Sequence, residues 1–220
     1  LKNKNYLFVD GRYTLQANDQ SKKNFKVITI PGKMPSDILR KKKLLIGFDP
    51  NLFTKKSLSI FFGKSKCEYK PLHKNLIDEI WKRKMKKNEN KFFVLPAGSV
   101  SEKYQSKINK ITNYLKRRKS DFIFITASEN NAWLLNIRGR DTEYAPIPSS
   151  YILISKNKNI KFFCDLKKLS STFRSHFNKV EFLDIKICSK ILSIIKKGKF
   201  INDKNSCSYF FENIISKNNK

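Results

Sequence analysis

Apolar residues along the chain fall in short runs separated by polar and turn-forming residues, and the runs alternate between two spacings. Tyr6 to Val9, Phe25 to Ile30, Leu44 to Phe48 and Cys67 to Tyr69 have the length and the aromatic and β-branched content of strands. Between them, Gly11 to Asp19, Pro35 to Lys42 and Phe53 to Phe62 read as helices, and Pro35-Ser36-Asp37 supplies a helix start. Strand and helix taking turns predicts an α/β unit with a mainly parallel sheet. From Lys82 to Lys91 the chain is dominated by Lys and Asn with no apolar period, which predicts a connector.

A second α/β unit follows. Tyr104, Ile108, Ile111 and Leu115 recur at helical spacing with polar residues between them, the pattern of a helix with one buried face. Strands are expected at Phe122 to Thr126, Tyr151 to Ser155, Ile160 to Cys164 and Val180 to Leu183. Helices are expected at Leu166 to His176, Ile187 to Ile195 and Ser206 to Ser216, the last with Tyr209, Phe210 and Ile214 on one face. No repeat of solenoid period is evident.

One segment of this unit stands apart. In Ala132-Trp133-Leu134-Leu135-Asn136-Ile137-Arg138-Gly139-Arg140-Asp141-Thr142-Glu143-Tyr144, a dense apolar turn runs directly into a charged loop. The apolar residues fit a short buried helix, and Gly139 offers the backbone freedom a tight turn needs. Pro146 and Pro148 close the loop. Arg138 and Asp141 either face a ligand or pair with each other across the turn.

The 220 residues suffice for two domains. The formal charge of +29 would ordinarily indicate nucleic acid or an anionic membrane. The basic residues are spread along the whole chain, only eight are Arg, and Asn and Ile are abundant too, as in a chain shaped by AT-rich coding. Diffuse lysine of this kind predicts salt-sensitive adhesion to polyanions and no specific nucleic-acid site. Cys67, Cys164, Cys188 and Cys207 contain no Cys-x-x-Cys pair and read as reduced thiols. No apolar run approaches the ~20 residues of a membrane span, and Leu1 to Asn5 do not form a signal-peptide core. The expectation is a cytoplasmic protein with no membrane partner. The chain begins at Leu1 and enters a strand almost at once, which is expected if the start of a domain is missing.

Catalytic chemistry is not visible in the residues. His73 and His176 lie far apart with no His-x-x-x-His or Glu-x-x-His spacing, so no metal ligand set is expected. There is no G-x-S-x-G elbow, P-loop or G-x-G-x-x-G. Asp78-Glu79 and Glu143 read as solvated carboxylates.

The segment Ala132 to Gly139, with Asp141, Tyr144 and Pro146, closely resembles the middle domain of the Xaa-Pro aminopeptidase (aminopeptidase P) family. Other stretches resemble that family in the same order: Phe8-Val9-Asp10-Gly11-Arg12-Tyr13, Ile46-Gly47-Phe48-Asp49-Pro50, Asn75-Leu76-Ile77-Asp78 with Trp81, Val94-Leu95-Pro96, and Asp121 to Ala127. Arg140 and Ala145 depart from the family pattern, where a small polar residue and Asn are more common.

The resemblance implies two consecutive creatinase-N-terminal-like (ribonuclease-H-like) domains, each a mixed, largely parallel sheet flanked by helices. Residues 1–86 would be a partial first domain, 87–100 a linker and 101–220 the middle domain. A pita-bread catalytic domain would be absent. In the family that domain releases an N-terminal residue preceding proline, using two divalent metals, usually manganese, held by two Asp, one His and two Glu. The resemblance implies no catalytic or metal-binding residue in these 220 positions. It implies a role in shaping the substrate cleft, with Asn136, Arg138, Asp141 and Tyr144 facing a peptide whose second residue is proline. The implied partners are the chain's own catalytic domain and a second copy in a homodimer. The alternative from another class is a free-standing basic scaffold or polyanion-binding module.

Overall fold

In a computed structural model that describes residues 4–81 and 89–219, the elements follow the alternation expected from the apolar runs. The chain divides into two units, Leu1–Leu76 and Ile77–Lys220.

In the first unit, β1 (Tyr6–Asp10) leads through a 3-10 turn into α1 (Thr14–Ser21) and β2 (Lys26–Ile30); α2 (Pro35–Leu39), β3 (Leu45–Phe48), α3 (Lys55–Phe62) and β4 (Glu68–Pro71) follow. β1 pairs parallel with β2, Tyr6 opposite Lys26, and β3 pairs parallel with β4, Leu45 opposite Glu68. Helix α3 starts where Thr54 accepts from the Ser57 amide and the Ser57 hydroxyl answers the Thr54 amide, which satisfies two otherwise orphaned donors. Phe62 packs against Phe53 and Tyr69 and ties α3 to β4.

α4 (Leu76–Ile80) straddles the division between the units. Residues 82–88 of the expected connector lie outside the described residues. Within the stretch expected as a linker, 87–100, Phe92 and the residues after it take part in the second unit. Phe92 is 2% exposed within the second unit's core, and β5 (Phe93–Val94) pairs antiparallel with β7 (Ile137–Arg138). Burying a phenylalanine outweighs the polar character of its neighbours.

The remaining elements of the second unit are α5 (Tyr104–Arg117), β6 (Phe122–Ile125), α6 (Ser128–Leu135), β7, β8 (Tyr151–Ser155), β9 (Ile160–Cys164), α7 (Ser171–Ser175), β10 (Val180–Asp184), α8 (Cys188–Ile194), β11 (Phe200–Asn202) and α9 (Tyr209–Asn218). Its main sheet has the order β10-β9-β8-β6-β11. The two outer pairs are parallel, and β9-β8 and β8-β6 are antiparallel, so this sheet is mixed. The reason is local: β8 and β9 are joined by a short turn at Lys156–Asn159, with Lys158 at φ 66, and a connection that short permits only antiparallel pairing.

Alternation along the strands builds two cores on opposite faces of the sheet. Ile152, Ile154, Phe162 and Cys164 point to one face and meet α5, α6 and α7 through Ile108, Leu134, Leu135 and Phe173. Leu153, Phe163 and Phe124 point to the other, where Cys188 and Leu192 of α8 and Phe211 and Ile215 of α9 cover them.

Candidate functional site

β6 delivers the chain into α6, which is anchored from inside. Asn131 is fully buried, and its amide donates to the Ser150 carbonyl at 2.9 Å. The Ser128 hydroxyl accepts from the Ser150 amide at 3.2 Å, so the first turn of the helix is tied to the entry of β8. Ala132, Leu134 and Leu135 are buried as expected, while Trp133 is 59% exposed.

α6 stops at Asn136, which holds a left-handed backbone (φ 56). Asn tolerates that region better than most residues with a side chain. Its side chain turns inward: Oδ1 accepts from Lys107 Nζ at 2.6 Å and Nδ2 donates to the Glu102 carbonyl at 2.9 Å. Lys107 is 5% exposed, also donates to the Trp133 carbonyl at 2.6 Å, and lies 4.1 Å from the centre of the Trp133 ring. Burial lowers the Lys107 pKa from the ordinary lysine value, and the Glu102 charge opposes that shift.

Arg138 is half-buried. Its Nη1 donates to the Ile137 carbonyl at 2.8 Å and reaches toward that of Ala132 at 3.5 Å. Asp141 does not pair with Arg138. It forms an ion pair with Lys168, in which the two side chains are 6% and 12% exposed, and its Oδ2 accepts from the Ser149 amide at 2.7 Å. Between them the loop folds back: the Gly139 amide donates to the Pro146 carbonyl at 3.2 Å and the Asp141 amide to that of Ile147 at 3.3 Å. Tyr144 stands 92% exposed at the tip.

Gly139 has no positive φ, so the turn does not use that freedom. A side chain there is excluded by space, because a Cβ would lie 2.8 Å from the Pro148 Cα and 3.0 Å from the Phe92 ring.

Of the four residues expected to face a ligand, Asn136 and Asp141 are therefore engaged internally, while Arg138 and Tyr144 reach the surface. The sequence reading missed Lys107 and Lys168. Lys107 could have been found: it falls three residues after Tyr104 and beside Ile108, on the apolar stripe of α5. The partnership of Lys168 with Asp141 has no local signal. Trp133 also lines an apolar groove of about 340 Å³ with Ile111, Tyr114, Ile125, Ile201 and Asn202.

The described residues do not fit a metal centre, since no three His, Cys, Asp or Glu side chains gather among them. His73 is exposed, and His176 packs edge-on against Phe177. No described helix is long and apolar enough to cross a membrane.

The geometry and the motif order have counterparts in known proteins. The chain is 31% identical over 188 residues to a probable Xaa-Pro aminopeptidase P of Laccaria bicolor, covering 80% of this chain and 29% of that protein. It is 30% identical over 183 residues to Xaa-Pro aminopeptidase app-1 of Caenorhabditis elegans, covering 79% of this chain and 30% of that one. The chain thus spans less than a third of each of these relatives. Its fold matches the crystal structure of X-prolyl aminopeptidase from Caenorhabditis elegans, described as a cytosolic enzyme with a di-nuclear active site. The TM-score is 0.87 at 24% identity, over 99% of this chain and 39% of that one. Residues 83–220 match the Creatinase/Prolidase N-terminal domain family, and the chain belongs to that family.

Proposed function

We propose that these 220 residues are a non-catalytic portion, with residues of a first domain and a middle domain, of a cytosolic Xaa-Pro aminopeptidase. The observation that carries this reading is the continuous similarity to two Xaa-Pro aminopeptidases over about four-fifths of the chain, spanning residues of both units. The divalent metals, manganese in this reading, and the catalytic carboxylates then belong to a separate catalytic domain.

In this role the loop after α6 borders the peptide cleft. Asn136 and Asp141 hold its two ends, and Arg138 and Tyr144 present the contacts. A guanidinium suits a peptide carbonyl or carboxylate because it is permanently charged and donates in a fixed planar fork. Beyond Nη1, Arg138 has no protein acceptor among the described residues. The peptide with proline at its second position is the substrate partner, and a homodimer is the proposed assembly.

The test is the coding sequence after the Lys220 codon together with an Arg138→Ala variant of the complete polypeptide. The reading expects two Asp, one His and two Glu in metal-ligand order downstream, and a lowered kcat/KM for Xaa-Pro peptides in the variant. A downstream sequence without those five ligands would overturn it. Unchanged kcat and KM would remove Arg138 from the cleft.

A further inference from the structure

Lys107 is a buried cation in contact with no carboxylate among the described residues. Such a charge costs several kcal/mol unless its donors are satisfied. Its surroundings are suited to that. The Trp133 carbonyl belongs to the last turn of α6, where the helix presents its negative end. Asn136 Oδ1 is a second acceptor, and the Trp133 ring supplies a π-face, so each of the three ammonium protons has a direction to point.

The chain makes further use of Asn136. Its Nδ2 donates to the Glu102 carbonyl just before α5, its carbonyl accepts from the Leu95 amide at 2.9 Å, and β7 starts at the next residue.

We infer that Lys107 is a positioning residue: its ammonium group clamps Trp133 and Asn136 at the end of α6 and thereby fixes the point from which residues 137–141 leave the helix. An apolar residue could fill the same volume, but it could not hold the Asn136 side chain in the orientation that links the end of α6 to α5 and to the Glu102 carbonyl just before it. The clamp also holds the exposed Trp133 ring in one place beside the apolar groove. This inference goes beyond the aminopeptidase reading and concerns the chain by itself, so either can fail without the other.

The test is site-resolved amide exchange on the chain, with Trp133 emission read in a Trp81→Phe background that leaves a single tryptophan. Lys107→Met is expected to speed exchange at Asn136, Leu95 and Gly139 by tenfold or more and to change the Trp133 emission. Leu153 and Phe162 in the sheet should keep their rates. Asn136→Gly keeps access to the left-handed backbone and deletes the acceptor; it should produce the same local acceleration, and it carries the test if Lys107→Met does not fold. Lys107→Arg, which keeps the charge, should retain most of the local protection. Unchanged exchange at the three amides, equal acceleration at all amides, or Lys107→Arg behaving as Lys107→Met would each overturn the inference.

Discussion

Asp141 is paired with Lys168, across 27 residues of sequence, and not with Arg138 three positions away. The pairing separates two roles within one loop: Asp141 fastens it to the turn after β9, and Arg138 stays at the surface. Both charges are largely buried, so removing one strands the other. Lys168→Met should cost about 3 kcal/mol in denaturant unfolding. The double variant Asp141→Leu/Lys168→Met should recover part of that loss, because no buried charge is then left unpaired. A Lys168→Met cost no larger than the ~0.5 kcal/mol of an ordinary surface change would show that the pair does not hold the loop.

Gly139 makes a different demand. A methyl group there meets the Pro148 backbone and the Phe92 ring, so Gly139→Ala should destabilise by about 1–3 kcal/mol, as overpacked sites do. Since φ is not positive, the penalty comes from crowding, and Phe92→Leu should relieve part of it. A Gly139→Ala variant with unaltered Tm would contradict the crowding argument.

Cys164 and Cys188 are pushed up to about 12 by burial. An unfolded thiol titrates near about 8.5, so the folded state holds these protons more tightly. The sign follows: their contribution is complete below about pH 8 and is lost as pH rises toward 12, because only the unfolded chain gains by ionising. Stability should therefore fall through that alkaline range, and Cys164→Ala/Cys188→Ala should flatten the decline. At pH 8 neither thiol of the native protein should react with a disulfide reagent, whereas both should react in denaturant. Rapid native-state labelling of either would contradict their burial.

The sequence was most legible where apolar runs were continuous. Tyr151 to Ser155 and Ile160 to Cys164 are strands over those same residues, and all four positions of the Tyr104-Ile108-Ile111-Leu115 stripe lie in or against the core. β5, β7 and β11 escaped notice because two- or three-residue strands carry no period. At the candidate site the short apolar helix and the emerging loop were readable. What could not be read was which charges turn inward, since Lys168 reaches Asp141 and Lys107 reaches Asn136 through the fold and not through spacing.

Arg138 has a predicted cost of its own. Its hydrogen bonds among the described residues are to two backbone carbonyls, so Arg138→Ala should change stability by no more than about 1 kcal/mol. In the complete polypeptide, the loss of a charge-assisted contact to the peptide should lower kcat/KM by roughly tenfold to a hundredfold. Arg138→Lys should restore only part, because an ammonium lacks the planar fork. A variant that loses stability in proportion to activity would place Arg138 in the scaffold instead of the cleft.

The role proposed for the chain is to contribute architecture and not chemistry to an Xaa-Pro aminopeptidase. Release of the N-terminal residue from an Xaa-Pro peptide, measured with manganese for the 220-residue chain and for the complete polypeptide side by side, tests it most directly. Release is expected from the complete polypeptide and none from the chain alone. Manganese-dependent release by a contaminant-free preparation of the chain alone, or no release by the complete polypeptide, would contradict it.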